Sequence, residues 1–153
     1  MVYQFEIVKT TAQPMVSIRE STTPDCVGSL LRRLYGEIGE YLASHHLRTR
    51  RKPSVIYHQH HPERVDLEAV ILLDAPATGD GRVKSGMLPA GKAAMTWHVG
   101  PYDDLLNALM AFADWAEAQQ IQCSGVYWEV AMTNSGEEPD PANWRTQLFF
   151  PIA

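Results

Sequence analysis

Two cysteines in 153 residues, Cys26 and Cys123, with no CxxC spacing, make at most one bridge. That excludes a disulfide framework and a cysteine zinc cluster as the source of stability, and both thiols are read as reduced. Long apolar runs are also missing. Nowhere do about 18 such residues follow one another, and the opening MVYQFEIVKTT has neither a basic start nor a small-residue cleavage site. The expected location is cytoplasmic, with no membrane partner. Basic residues are the minority, 13 Lys+Arg against 18 Asp+Glu for a formal net charge of -5, which argues against nucleic acid as a direct partner. The cluster Arg48, Arg50, Arg51 and Lys52 reads as a solvated connection. No Gly-rich phosphate loop or nucleophilic serine motif occurs, and no cofactor is implied. His58 and His60 alternate as if on one strand face, yet nothing at a suitable spacing completes a metal site, so none is expected.

What the chain does have is a pattern that reads twice. Val27, Leu30, Leu31, Leu34, Ile38 and Leu42 recur at helical spacing after Ser21-Thr22-Thr23-Pro24-Asp25, a run of N-cap residue types with a helix-starting proline. Leu105, Leu106, Leu109, Phe112 and Ala116 make a second stripe after Gly100-Pro101. MVYQFEIVKT and PMVSIRE read as strands before the first helix, PSVIYHQ and VDLEAVILL as strands after it. GRVKSGMLP, KAAMTWH, GVYWEVAM and WRTQLFFPI repeat that order around the second. Pro24 corresponds to Pro101 and Tyr57 to Tyr127. The hydrophobic content of 45% suits one domain over 1–153, with repeat one at 1–76, a small-residue linker at 77–81 and repeat two at 82–153. The expected class is α+β: two tandem strand-helix-strand-strand (SHS2-type) repeats, whose strands make one antiparallel sheet with both helices on one face.

The second half carries a resemblance. His98-Val99-Gly100-Pro101-Tyr102, the helix after it, Tyr127-Trp128-Glu129, Pro139-Asp140-Pro141 and the terminal Phe150-Pro151-Ile152 stand in that order, and with PMVSIRESTTPDCVGSLLRRLYGEIGEYL they cover nearly the whole chain. In these the sequence resembles the GyrI-like domain family, also found as the effector-binding part of AraC-type and MerR-type multidrug-responsive transcription regulators. The resemblance implies a pseudo-twofold pair of modules with an aromatic cleft between repeats, and a glutamate there that attracts cationic or electron-poor organic ligands. A stand-alone domain is expected, since the first helix belongs to the first repeat and leaves no room for a helix-turn-helix region.

Alternation along the Tyr127 strand puts Tyr127, Glu129 and Ala131 on one side and Val126, Trp128, Val130 and Met132 on the other. The second set is uniformly apolar and is read as packing under the helices, which leaves Glu129 and Tyr127 on a helix-free face. Expected ligand-binding residues are Glu129, Tyr127, Tyr57, Trp97, Tyr102, Trp144 and His98, with Trp97 or His98 facing the ligand; Trp115 and Trp128 read as core. An ionised Glu129 among rings would hold a cation. A desolvated one would serve as a general acid or base, and the family also contains cyclopropanoid hydrolases, for which Glu129 would be the catalytic residue and Tyr127 or Tyr57 an aid. Gyrase-inhibiting relatives imply a third role, with a gyrase-like protein partner.

Overall fold

The computed structural model describes residues 3–49, 53–101, 104–123, 125–133 and 138–152. Along the chain run β1 (Glu6–Thr10), β2 (Gln13–Thr22), α1 (Val27–Ser44), β3 (Pro53–His60) and β4 (Val65–Leu72). The same succession follows in β5 (Lys84–Leu88), β6 (Gly91–Val99), α2 (Leu105–Ala118), β7 (Tyr127–Ala131) and β8 (Arg145–Pro151). This is the expected α+β class, with its order of elements used twice.

Both helices also end in the same way. His46 and Gln120 take left-handed backbone conformations, with φ of 55° and 56°. The next residue then closes back over the last turn: Leu47 N–H donates to Leu42 O at 2.8 Å and Ile121 N–H to Ala116 O at 2.9 Å. This is the Schellman arrangement, finished in each case by an apolar residue. Since neither turn uses glycine, their agreement supports an internal repeat independently of hydrophobic periodicity.

Two compact units result, each offset from the sequence repeats by one strand: Met1–Thr10 with Gly91–Ala153, and Thr11–Ala90. β1 pairs with β6, Glu6 opposite Met95 through Thr10 opposite Gly91, and β5 pairs with β2, Gln13 opposite Leu88 through Ser17 opposite Lys84. The links Thr11-Ala12 and Pro89-Ala90 lack the glycine or asparagine that a tight hairpin needs at positive φ.

In the Thr11–Ala90 unit, β4 pairs with both β3 and β2, all antiparallel. Val16 and Ile18 of β2 share a face with Val65, Leu67 and Ala69 of β4, and these five are at most 2% exposed. α1 lies on that side, where Glu20 of β2 meets Arg33 of the helix. It buries Leu30, Leu34, Ile38 and Tyr41, with Val27, Leu31 and Leu42 half-buried at the margins. Neither Thr23 nor Cys26 caps a helix start with its side chain; proline at the first position of the 3-10 turn Pro24–Cys26 begins the structure instead. The stretch 77–81, read as the link between repeats, lies inside this unit, and the Tyr41 hydroxyl donates to Thr78 O there.

In the other unit β6 lies between β1 and β8, and β8 pairs on with β7. α2 buries Ala108, Phe112 and Ala116. Leu106, expected in the stripe, is 59% exposed, because the small alanines turn the buried line of the helix away from it. Cys26 and Cys123 are exposed, unbridged thiols.

Candidate functional site

The strand register of the second unit decides which side of the sheet Glu129 occupies. Glu129 stands opposite Leu148, and Leu148 opposite Thr96; Ala131 stands opposite Thr146, and Thr146 opposite His98. Directly paired residues share a face. Leu148, Thr96, Thr146 and His98 are all at most 1% exposed. One step further along this face, the Phe150 ring stacks on Phe112 of α2, with centroids 4.0 Å apart and planes 7° apart. Tyr127 also stacks on Phe150, at 5.6 Å. Glu129 and Tyr127 therefore lie on the face that carries α2.

This corrects the expectation that Val126, Trp128, Val130 and Met132 pack beneath the helix and leave Glu129 on a helix-free side. Trp128 is buried, as read from the sequence, but it stacks on Phe149 at 5.4 Å on the opposite face. The physical reason is in β8. Its inward residues are Thr146, Leu148 and Phe150, and the docking of Phe112 on Phe150 fixes the helix side for every strand paired with it. Apolar content of β7 alone gave no such constraint.

The chemistry around Glu129 follows from burial. Tyr127 is 9% exposed, and burial, reinforced by the negative charge of Glu129, pushes its pKa well above the usual phenol range. It remains a hydroxyl at ordinary pH and can donate a hydrogen bond. Phe150, Phe112, Phe5 and Trp115 extend the aromatic surface: Phe5 packs on Phe112 at 5.8 Å and on Trp115 at 5.1 Å. A half-buried carboxylate beside a neutral phenol and stacked rings favours a flat or cationic organic group, each ring contact contributing about 0.5–2 kcal/mol.

His98 is on this face and Trp97 is not. Both His98 nitrogens are engaged: Nδ1 lies 2.7 Å from the Tyr3 hydroxyl and Nε2 lies 3.0 Å from Pro101 O. A carbonyl can only accept, so Nε2 carries the proton and Tyr3 donates to Nδ1. His98 thus ties the start of the chain to the turn before α2. Gly100 in that turn has φ 131°, a conformation that favours glycine. Trp97 faces the other way, under the Arg145 guanidinium at 4.5 Å. Trp144 precedes β8 and donates Nε1–H to Glu138 O at 2.8 Å, while its carbonyl accepts from Gly100 N–H at 2.7 Å. Tyr102 lies outside the described residues.

Tyr57 belongs to the other unit, where it is buried and stands opposite Leu67, on the α1 side. A bulge at His58 follows: Gln59 pairs with Asp66 and His60 with Val65. The extra residue breaks alternation, so His60 returns to the Tyr57 face and stacks on it at 5.6 Å. His58 instead places Nε2 2.8 Å from Glu68 on the opposite face, where Ser17 also donates to that carboxylate. The expectation that His58 and His60 share a face is thereby overturned. Among the described residues no group of three potential metal ligands occurs.

Residues missing from the sequence reading are Phe150, Thr146 and Thr96. Alternation in Arg145-Thr146-Gln147-Leu148-Phe149-Phe150 was the available signal. An open depression of about 380 Å³ lies in the Tyr57 unit beside Glu37, Glu40, Tyr41 and Asp80, and none of the expected site residues lines it. No helix among the described residues is long and apolar enough to cross a membrane.

Together these features define a class, that of small antiparallel α+β domains in which one order of elements occurs twice. The chain belongs to the GyrI-like small molecule binding domain family, whose model matches residues 3–153. The EcmrR C-terminal domain has a similar structure, with 22% identity, a TM-score of 0.90 and coverage of 100% of this chain and 99% of that one. In an EcmrR–DNA complex the longer EcmrR chain matches at 23% identity and a TM-score of 0.86; 99% of this chain is covered, and it spans 58% of that chain. SAV2435 bound to tetraphenylphosphonium matches at 11% identity and a TM-score of 0.71, over 98% of this chain and 94% of that one. A hydrolase encoded by lin2189 of Listeria innocua matches at 12% and 0.68, over 98% and 92%. At these identities the likeness is one of fold. Among curated proteins none matches.

Proposed function

We propose that this GyrI-like domain captures aromatic cations at Glu129, on the α2 side of β7, for sequestration or sensing. The observation that carries the reading is that Glu129 shares its strand face with the buried Tyr127, whose ring stacks on Phe150 of the Phe150–Phe112 pair. The carboxylate supplies charge and the rings supply dispersion and quadrupole attraction, while the phenol orients the carboxylate or the ligand by donating. Binding of tetraphenylphosphonium by SAV2435, a protein of the same fold, supports the choice of ligand class. Tyr102 and Trp144 remain candidates for accessory contacts, and His98 for shaping the turn before α2. The test is a pair of probes of one shape and opposite charge. Wild-type protein is expected to bind tetraphenylphosphonium at least ten-fold more tightly than tetraphenylborate; equal affinities would remove the carboxylate from the account.

A second reading is favoured by the same pair of groups. A carboxylate next to a phenol that stays protonated can position water for addition to a strained ring while the phenol donates to the leaving group. In that case the domain hydrolyses cyclopropanoid compounds, with Glu129 catalytic. Mass analysis after incubation would show a product heavier by one water, formed by wild-type and not by Glu129→Gln protein; no product above the uncatalysed rate leaves binding alone.

A further inference from the structure

The α2 side of β8 holds a hydrogen-bonding group that the protein itself does not use. Thr146 is 1% exposed, and among the described residues no donor or acceptor reaches its Oγ1. Its two directly paired neighbours cannot serve it. His98 has both nitrogens committed to Tyr3 and Pro101, and Ala131 has no polar side chain. Because Glu129 stands opposite Leu148 and Ala131 opposite Thr146, Thr146 and Glu129 are diagonal neighbours on one face, with backbone positions about 7–8 Å apart. A buried hydroxyl left without a partner is destabilising, and valine would fill the same space without that cost.

We propose that Thr146 is a specificity-determining residue of the Glu129 site. Its hydroxyl pairs with a hydroxyl or carbonyl that the ligand carries some ångströms from its cationic centre. The ligand class narrows accordingly, from any lipophilic cation to an aromatic cation bearing one hydrogen-bonding substituent. This rests on the reading of Glu129 as the cation anchor.

The experiment compares tetraphenylphosphonium with its analogue bearing a single para-hydroxymethyl group, titrated into the full chain as wild type, Thr146→Val and Thr146→Ser. Wild-type protein is expected to prefer the hydroxymethyl analogue by about five-fold, the gain typical of one neutral hydrogen bond. Thr146→Val removes the preference while holding the parent cation within two-fold, and melts no lower than wild type; Thr146→Ser keeps the preference. Equal binding of the two probes by wild type overturns the role of Thr146 and leaves Glu129 standing. Persistence of the preference in Thr146→Val overturns it as well. Failure of the valine protein to fold would do the same, since the fold itself would then need the hydroxyl. If wild type binds neither probe, the cation-anchor reading falls and takes this one with it.

Discussion

Strand β7 opens Tyr127-Trp128-Glu129 and strand β3 holds Tyr57-His58-Gln59 at the corresponding place in the first repeat, yet the fold treats the third residue differently. β7 stays regular, so Glu129 keeps to the tyrosine's side, next to the helix. β3 bulges at His58, and Gln59 is turned to pair with Asp66 away from Tyr57. A carboxylate of the neighbouring strand β4, Glu68, sits on the face without the helix and is held by Ser17 and His58. β7 thus carries an acid beside its tyrosine, whereas β3 carries none at that place and Glu68 of β4 is tied into the structure. The two halves share a scaffold, down to the helix-ending turns at His46 and Gln120, and differ in the regularity of one strand.

The largest expected effect concerns the stack that fixes the sides of β7. Phe150→Ala removes the ring on which both Phe112 and Tyr127 stack and should cost about 3–5 kcal/mol, lowering Tm by on the order of 10 °C in a thermal melt. A loss below about 1 kcal/mol would break the assignment of Glu129 to the helix side. Glu68→Gln should cost about 1–3 kcal/mol in denaturant unfolding, because Ser17 and His58 lose a charged acceptor in a mostly buried place. It should leave cation binding within two-fold, which sharpens the contrast between the acids.

The smallest effect is at Asp66. Its hydrogen bonds from Arg19 hold its pKa below the ordinary carboxylate value. The stabilisation is therefore present above the unfolded carboxylate pKa and is lost as pH falls through the folded value. Arg19 is more than half exposed, so Asp66→Asn should cost only about 0.5 kcal/mol at neutral pH. The difference from wild type should vanish in acid; a difference that grows as pH falls would contradict this account of the pair.

Much of the architecture was legible because helical spacing and strand alternation are local. Leu30, Leu34 and Ile38 marked α1, and the correspondence of Tyr57 with Tyr127 marked the repeat. Which strand pairs with which was harder, since β1 joins β6 and β2 joins β5 across long stretches of sequence. Linkers without hairpin residues were the local hint. The side of β7 was misread because its alternate residues are all apolar, whereas the decision was made by Phe150 meeting Phe112, a contact between elements. The bulge at His58 left no trace in the residue types around it. The residue types do not choose between Trp97 and His98, and only pairing with Gln147 and Thr146 assigns each to its face.

The central claim is that the two acids differ in kind, Glu129 for the ligand and Glu68 for the fold. Isothermal titration of tetraphenylphosphonium into Glu129→Gln and Glu68→Gln proteins, each first shown to be folded, tests it directly. The expected result is a loss of affinity of ten-fold or more for Glu129→Gln and less than two-fold for Glu68→Gln. Wild-type affinity in Glu129→Gln, or an equal loss in both, would contradict it.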